Sequence, residues 1–188
     1  MKKIVLTFGV ISGVVLSVLM LGTLPFQHQI GEDRALIVGY TTMVASFLLV
    51  YFGIRSYRNN VGGGRISFGR GFAVGILITL ITCVFYVATW AVVYHFFMPN
   101  FMGDYTAHEI AKVQASGASA AVIQAKTAQL QQSAASYNNP LIFTAMTFIE
   151  PFPVGLLITL ISAAVLRKAG VRDQGSGVRE RPVSESAS

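Results

Sequence analysis

The chain has 188 residues, of which 53% are hydrophobic and only 12% charged, with a net charge of +6 and a mean hydropathy of +0.60. Ordinary soluble domains carry about 25% charged residues, so this deficit argues against a water-soluble globular protein. The single cysteine, Cys83, excludes a disulfide framework and a cysteine-based zinc cluster.

Four stretches hold almost no charge, and they run over residues 4–24, 35–54, 72–98 and 141–166. Each has about 19 or more mostly apolar residues, enough to cross roughly 30 Å of hydrocarbon as a helix. The sequence therefore predicts an all-α fold: a transmembrane four-helix bundle with an extracytoplasmic helical hairpin, residues 100–139, between spans three and four. The membrane domain covers residues 1–168. Residues 169–188 have almost nothing apolar to bury, which predicts a disordered cytoplasmic tail.

Basic residues alternate between the segments that connect the predicted spans. Eleven of the fourteen Lys and Arg residues lie before span one, between spans two and three, or after span four. The positive-inside rule then places both termini in the cytoplasm. Basic residues at a membrane face favour anionic lipid headgroups as partners, so nucleic acid is not expected to bind.

A glycine-rich stretch, VGGGRISFGRGFAVG, precedes span three at residues 61–75. A phosphate-binding P-loop requires Lys followed by Ser or Thr after its last glycine, and neither is in place here. We therefore interpret the stretch as a turn. Gly62–Gly64 allow a sharp reversal, Ser67 can cap span three, and Arg65 and Arg70 lie at the headgroup level.

The predicted outer segment carries helix boundary signals. Thr106 and Glu109 have the spacing of a capping box, which predicts a helix start at Thr106. Gly117 is expected to end that helix in a left-handed conformation, and Ser119 to cap a second helix over about 120–136. The apolar stripe of the second helix is thin, so the hairpin either is solvated or leans on the spans or on a partner.

Small residues recur at every fourth position in three spans, for example Gly71 and Gly75 in span three and Gly155 in span four. Such rows let helices approach closely in lipid, so they predict either internal seams or self-association faces. The segments VGILITLIT at residues 74–82 and VGLLITLIS at residues 154–162 also match at seven of nine positions. We attribute this match to chance or to a shared packing requirement rather than to the inverted repeat of a transporter.

Glu150 is the candidate functional residue, because it is ionisable and lies within an apolar span. Pro151 and Pro153 follow it and are expected to break or kink the helix. One interpretation is structural: the carboxylate caps the N–H groups of the new helix start. The other is a proton or cation site in the outer leaflet, with His95 as the partner nearest in depth and Arg34 and Tyr40 as further candidates.

Several motifs resemble domain-of-unknown-function family 4199, a family of small bacterial membrane proteins with four spans. The motifs are YFGIRSYR at residues 51–58, ISFGRGF at 66–72, YNNPLI at 137–142 and EPFPVGLLITLISA at 150–163. The resemblance covers about residues 3–168. It implies a four-helix membrane protein and carries over no catalytic residues. We expect the protein to lie in the bacterial inner membrane with both termini inside.

These observations predict a non-enzymatic structural or accessory subunit that packs against membrane partners or a second copy of itself. The alternative is a small transporter or channel that uses Glu150. No cofactor or metal site is expected, because the histidines are scattered and no catalytic grouping is apparent in the sequence.

Overall fold

The computed structural model describes residues 1–26 and 32–167, and the predicted tail at 169–188 lies outside this part of the chain. The described residues contain α-helices with short 3₁₀ and π segments. The elements in chain order are α1 (Lys2–Thr23), a 3₁₀ turn (Leu24–Phe26), α2 (Glu32–Asn60), α3 (Phe68–Val92), a π-helical turn (Val93–Phe97), α4 (Phe101–Ala115), α5 (Ala120–Tyr137), α6 (Pro140–Ile149) and α7 (Pro151–Leu166).

Within residues 1–26 and 32–167, four segments are long and apolar enough to cross a membrane: Lys2–Phe26, Ile37–Asn60, Phe68–Phe97 and Pro140–Leu166. These segments overlap the four predicted spans and support an integral membrane protein. The second continues to Asn60, six residues past its predicted end, because α2 runs on through Arg55 and Arg58 beyond the apolar run. The third begins at Phe68 rather than at residue 72. The reason is local: Ser67 is extended and its hydroxyl accepts the backbone N–H of Arg70, which starts the helix early.

The four apolar segments pack side by side around one core. α3 contacts α1, α2 and α7, and α2 also contacts α1 and α7. Phe47, Val50 and Ile54 of α2 and Ile78 of α3 are fully buried at the centre. Large apolar side chains instead point outward from the spans, for example Val18, Val84 and Val165, each more than 60% exposed. This outward apolar surface suits a lipid environment.

The rows of small residues are internal seams. A Cβ atom at Gly9 would meet Ile81, and one at Gly13 would meet the ring of Phe85, so these glycines bring α1 against α3. Gly71 lies against Ala163 on α7. Because these faces are occupied within one chain, the self-association alternative is wrong for them.

The two matching nine-residue segments pack against each other, and the contact is reciprocal. A Cβ atom at Gly75 would lie 2.7 Å from the Thr159 methyl group, and one at Gly155 would lie 2.5 Å from the Thr79 methyl group. Each glycine therefore accommodates the threonine of the other segment. A shared packing requirement explains the match.

The turn between α2 and α3 has the expected glycine chemistry. Gly63 and Gly64 have φ values of 57° and 83°, in the region that favours glycine. The N–H of Gly64 donates to the carbonyl of Arg58, and the N–H of Arg65 donates to the carbonyl of Gly62. These bonds fold the chain back on itself between two spans.

The start of α4 corrects the prediction for the outer segment. The helix begins at Phe101, so Thr106 lies inside it and forms no capping box with Glu109. Glu109 instead accepts a hydrogen bond from Lys112 at 3.2 Å. The helix starts earlier than predicted because of tertiary packing: the Phe101 ring packs edge-on against Trp90, with the ring centroids 5.1 Å apart.

The end of α4 and the start of α5 agree with the sequence signals. Gly117 has a φ of 72° just after α4, as predicted for a left-handed helix end. Ser119 stands at the N-cap of α5, although its side chain makes no capping hydrogen bond. The two helices pack against each other.

Candidate functional site

The fourth apolar segment changes helix at Glu150. α6 ends at Ile149, and α7 starts at Pro151, where the fixed φ of proline suits a first helical position. Pro151 is buried, whereas Pro153 is exposed. The helix break predicted from the two prolines is therefore present, with Glu150 at the junction.

The Glu150 carboxylate does not cap α7. It makes no capping hydrogen bond, and its backbone is helical rather than extended. Pro151 and Pro153 also remove two of the first three N–H groups that a cap would accept. The capping interpretation is therefore wrong, because the prolines of the motif remove the N–H groups that the carboxylate would have accepted.

Glu150 instead accepts a hydrogen bond from the Tyr86 hydroxyl of α3, with 2.8 Å between the oxygens. Tyr86 is buried, while Glu150 is exposed on the isolated chain. At about 1.5 Å per residue, Glu150 lies roughly 25 Å along the helix from Arg167, near the far edge of a hydrocarbon layer about 30 Å thick. The pair therefore joins a carboxylate and a phenol across two of the apolar segments.

The predicted partner, His95, is not part of this pair. His95 Nδ1 lies 2.8 Å from the carbonyl oxygen of Ala91, and its ring contacts Tyr94 and Phe143. Nine residues separate it from Tyr86, which is about 13 Å along a helix. Among the described side chains, no hydrogen bond or ion pair joins Arg34 to Glu150. Among the same described side chains, no hydrogen bond joins Tyr40 to Glu150.

A polar network next to the pair ties α5 to the spans. The indole N–H of Trp90 donates to the Tyr137 hydroxyl at 2.9 Å. The Tyr137 hydroxyl also lies 3.3 Å from the hydroxyl of the buried Thr147 on α6. This network, like Tyr86, was not predicted. Tyr86 could have been found by extending the row of Gly75 and Thr79 by two further turns of α3, which reaches it on the same helix face.

An open cavity of about 510 Å³ lies between α3 and α6. It is mainly apolar, with Ala88, Ala91 and Phe148 among its lining residues, and His95 and Asn138 add polar groups. The cavity includes neither Glu150 nor Tyr86. His95 therefore lines this cavity and does not contact Glu150.

The remaining candidate residues lie elsewhere. Gly155 is buried against Thr79 and Phe47, which gives it a packing role. Arg65 and Arg70 line a second cavity, of about 260 Å³, at the turn between α2 and α3. Within residues 1–26 and 32–167, no three His, Cys, Asp or Glu side chains form a group that could bind a metal ion.

The sequence profile of the family described as "Protein of unknown function (DUF4199)" matches residues 7–168. The match spans all four apolar segments and the α4–α5 pair. No curated protein and no solved structure shows significant similarity to the chain. The family assignment thus supports the resemblance noted in the sequence.

Proposed function

Because the chain belongs to the protein family of unknown function DUF4199, whose profile covers its membrane segments, we propose that it is a non-enzymatic accessory subunit of a membrane assembly. In this proposal the apolar segments form a transmembrane four-helix bundle in the bacterial inner membrane. Both termini face the cytoplasm, following the basic residues, and α4–α5 forms an extracytoplasmic hairpin.

The observation that carries the proposal is the contrast between the spans and the α4–α5 pair. The glycine faces of α1, α3 and α7 are occupied inside the chain, so they are not available to a partner. In α4 and α5, Leu130 is the one buried residue. A folded element with so little buried surface of its own is a suitable docking platform for another protein.

The Tyr137 anchor supports the same role. The bonds from Trp90 and to Thr147 fix the end of α5 to α3 and α6. A docking element held rigidly loses less conformational entropy on binding than a flexible one. Val122 on α5 is 54% exposed and offers an apolar contact away from this anchor.

The test is site-specific photo-crosslinking of the full chain in native membranes. A photo-reactive amino acid replaces Val122, and the matched control replaces Val165, which is 67% exposed on α7. We expect a discrete protein adduct from residue 122, whose mass separates a second copy from another protein, and lipid adducts from residue 165. The accessory role would be contradicted if position 122 and the neighbouring exposed positions of α5 gave only lipid or water adducts.

One observation favours a second candidate function, a transporter or channel with a proton or cation site at Glu150. In the proposed topology the Glu150 carboxylate lies at membrane depth, and the side chain that hydrogen-bonds to it is the neutral phenol of Tyr86 rather than a cation. An intramembrane carboxylate without a charged partner can bind a proton or a cation.

Flux measurements in proteoliposomes test this candidate. Glu150→Gln should abolish a proton- or cation-linked flux while the protein remains folded, since an amide oxygen still accepts the Tyr86 hydrogen bond. Glu109→Gln, on α4, is the matched control and should retain the flux. Equal flux in the wild type and both variants would exclude the Glu150 site.

A further inference from the structure

The second cavity is lined mainly by polar surface, whereas the first is lined mainly by apolar side chains. The second cavity is an open surface depression of about 260 Å³ at the turn between α2 and α3. Its lining residues include Tyr57, Gly62, Arg65, Ser67 and Arg70. The turn creates the cavity, because Gly63 and Gly64 take left-handed conformations that carry the chain around it.

Within the described residues, the two arginine side chains at this cavity have no oppositely charged partner. In the part of the chain that the structure describes, no hydrogen bond or ion pair joins the guanidinium of Arg65 or Arg70 to another residue. The sequence explains this: there is no Asp or Glu between Asp33 and Asp104. Neither of the two helices joined by the turn supplies a carboxylate near the cavity.

The other helices that end here do not neutralise the charge. α1 begins with Lys2 and Lys3, and α7 is followed by Arg167. Gly71, at the start of α3, lies against Ala163 near the end of α7, which places Arg167 at the same end. Residues 1–31 and 151–167 contain no Asp or Glu. The described residues thus give this end of the protein a positive field.

We propose that Arg65 and Arg70 form a binding site for a phosphate group, and that the phosphate belongs to an anionic phospholipid. A guanidinium presents N–H groups in a planar fork that matches two phosphate oxygens. Basic pockets at the ends of membrane helices are suited to anionic headgroups.

The rim of the cavity favours a lipid over a soluble phosphate compound. Val61 lines the cavity and is 53% exposed, and Phe68, the first residue of α3, is 40% exposed. Val61 directly follows the end of α2 and Phe68 begins α3, so both side chains lie beside an apolar span, where a lipid glycerol and its acyl chains would contact them. The site therefore combines two cations with an apolar edge, as an amphiphilic anion requires.

The experiment measures lipid retention by native mass spectrometry of the full chain released from nanodiscs. The nanodiscs contain phosphatidylcholine with or without phosphatidylglycerol. Arg65→Gln with Arg70→Gln is the test variant. Arg55→Gln with Arg167→Gln is the matched control, since both arginines are exposed, carry the same charge and do not line the cavity.

Each variant loses two surface charges, which are worth up to about fivefold each in phosphatidylglycerol affinity. The test variant also loses the direct guanidinium–phosphate hydrogen bonds, so we expect its loss to exceed that of the control by about tenfold or more. Equal losses in the two variants would contradict a specific site. A variant with lysine at both positions keeps the charge, and partial recovery of binding by it is expected if the site is folded. No recovery by lysine, in a protein with wild-type helix content, would also overturn the assignment.

A separate arm uses inorganic phosphate as a competitor in nanodiscs that contain phosphatidylglycerol. We expect phosphate at millimolar concentration to leave lipid retention unchanged. Displacement of the lipid by phosphate, together with phosphate binding in pure phosphatidylcholine nanodiscs, would overturn the lipid assignment in favour of a soluble ligand. Neither result depends on the accessory role proposed for α4–α5.

Discussion

The hydroxyl oxygens of Thr79 and Thr159 lie 3.0 Å apart where α3 packs against α7. Thr79 Oγ1 also lies 3.4 Å from the carbonyl oxygen of Gly155, so the hydroxyl can donate to that backbone group. The methyl groups of the same two threonines occupy the space left by Gly155 and Gly75. One pair of residues thus supplies both the hydrogen bond and the close approach of these helices.

This seam predicts that Gly155→Ala is destabilising. The added Cβ would lie 2.5 Å from the Thr79 methyl group and 2.7 Å from the Phe47 ring, both in the buried core. Overpacking of this kind costs about 1–3 kcal/mol of unfolding free energy. Gly39→Ala is the matched control, because nothing lies within 4 Å of its added Cβ. Denaturant titration in detergent micelles measures both, and equal stability of the two variants would contradict the seam.

The hydrogen bond between Tyr86 and Glu150 predicts that replacing the donor lowers the unfolding free energy more than replacing the acceptor. Tyr86→Phe removes the donor and should lower the unfolding free energy by about 0.6 kcal/mol, the average for hydrogen bonds between membrane helices, and by no more than about 1.7 kcal/mol. Glu150→Gln should cost less, since its amide oxygen still accepts the bond. The same micelle titration gives both values. A larger loss for Glu150→Gln would show that the charge of Glu150 has a structural role that this bond does not explain.

The contacts of Tyr137 predict how α5 is held. Tyr137→Phe loses the hydrogen bond from Trp90 and the contact with Thr147, while the ring can remain in its aromatic neighbourhood. We expect faster amide hydrogen exchange in α4 and α5, with α3 unchanged. Tyr105→Phe is the control, because Tyr105 is 45% exposed on α4. If both variants exchange as slowly as the wild type, Tyr137 does not anchor the pair.

Thr106 distinguishes the observed helix from the one predicted by the capping box. Its buried Oγ1 has no hydrogen-bond partner in the described structure. Thr106→Val keeps the shape and removes an unsatisfied hydroxyl, so stability should be unchanged or higher. A helix that began at Thr106 would instead lose about 0.5–2 kcal/mol with its cap. Thermal unfolding followed by circular dichroism separates the two outcomes.

The sequence predicts the features that depend on local chemistry. Four long apolar runs, the glycine turn at Gly62–Gly64, the cap at Ser67 and the helix end at Gly117 all follow from backbone and solvation rules. The start of α4 does not, because it depends on the packing of the Phe101 ring against Trp90 of α3, a tertiary contact that helix-boundary signals do not encode. The break at Glu150 was predictable from its prolines, but the Tyr86 partner depends on how α3 is placed beside α6 and α7.

The account depends most on the membrane topology proposed for the chain, and cysteine labelling in intact cells tests it directly. Two single-cysteine substitutions are used: Ser116→Cys between α4 and α5, and Asn59→Cys at the end of α2. The native Cys83 is buried and should not react. A membrane-impermeant maleimide should label residue 116 in intact cells and residue 59 only after the membrane is permeabilised. Labelling of both residues in intact cells would contradict the proposed threading of the spans.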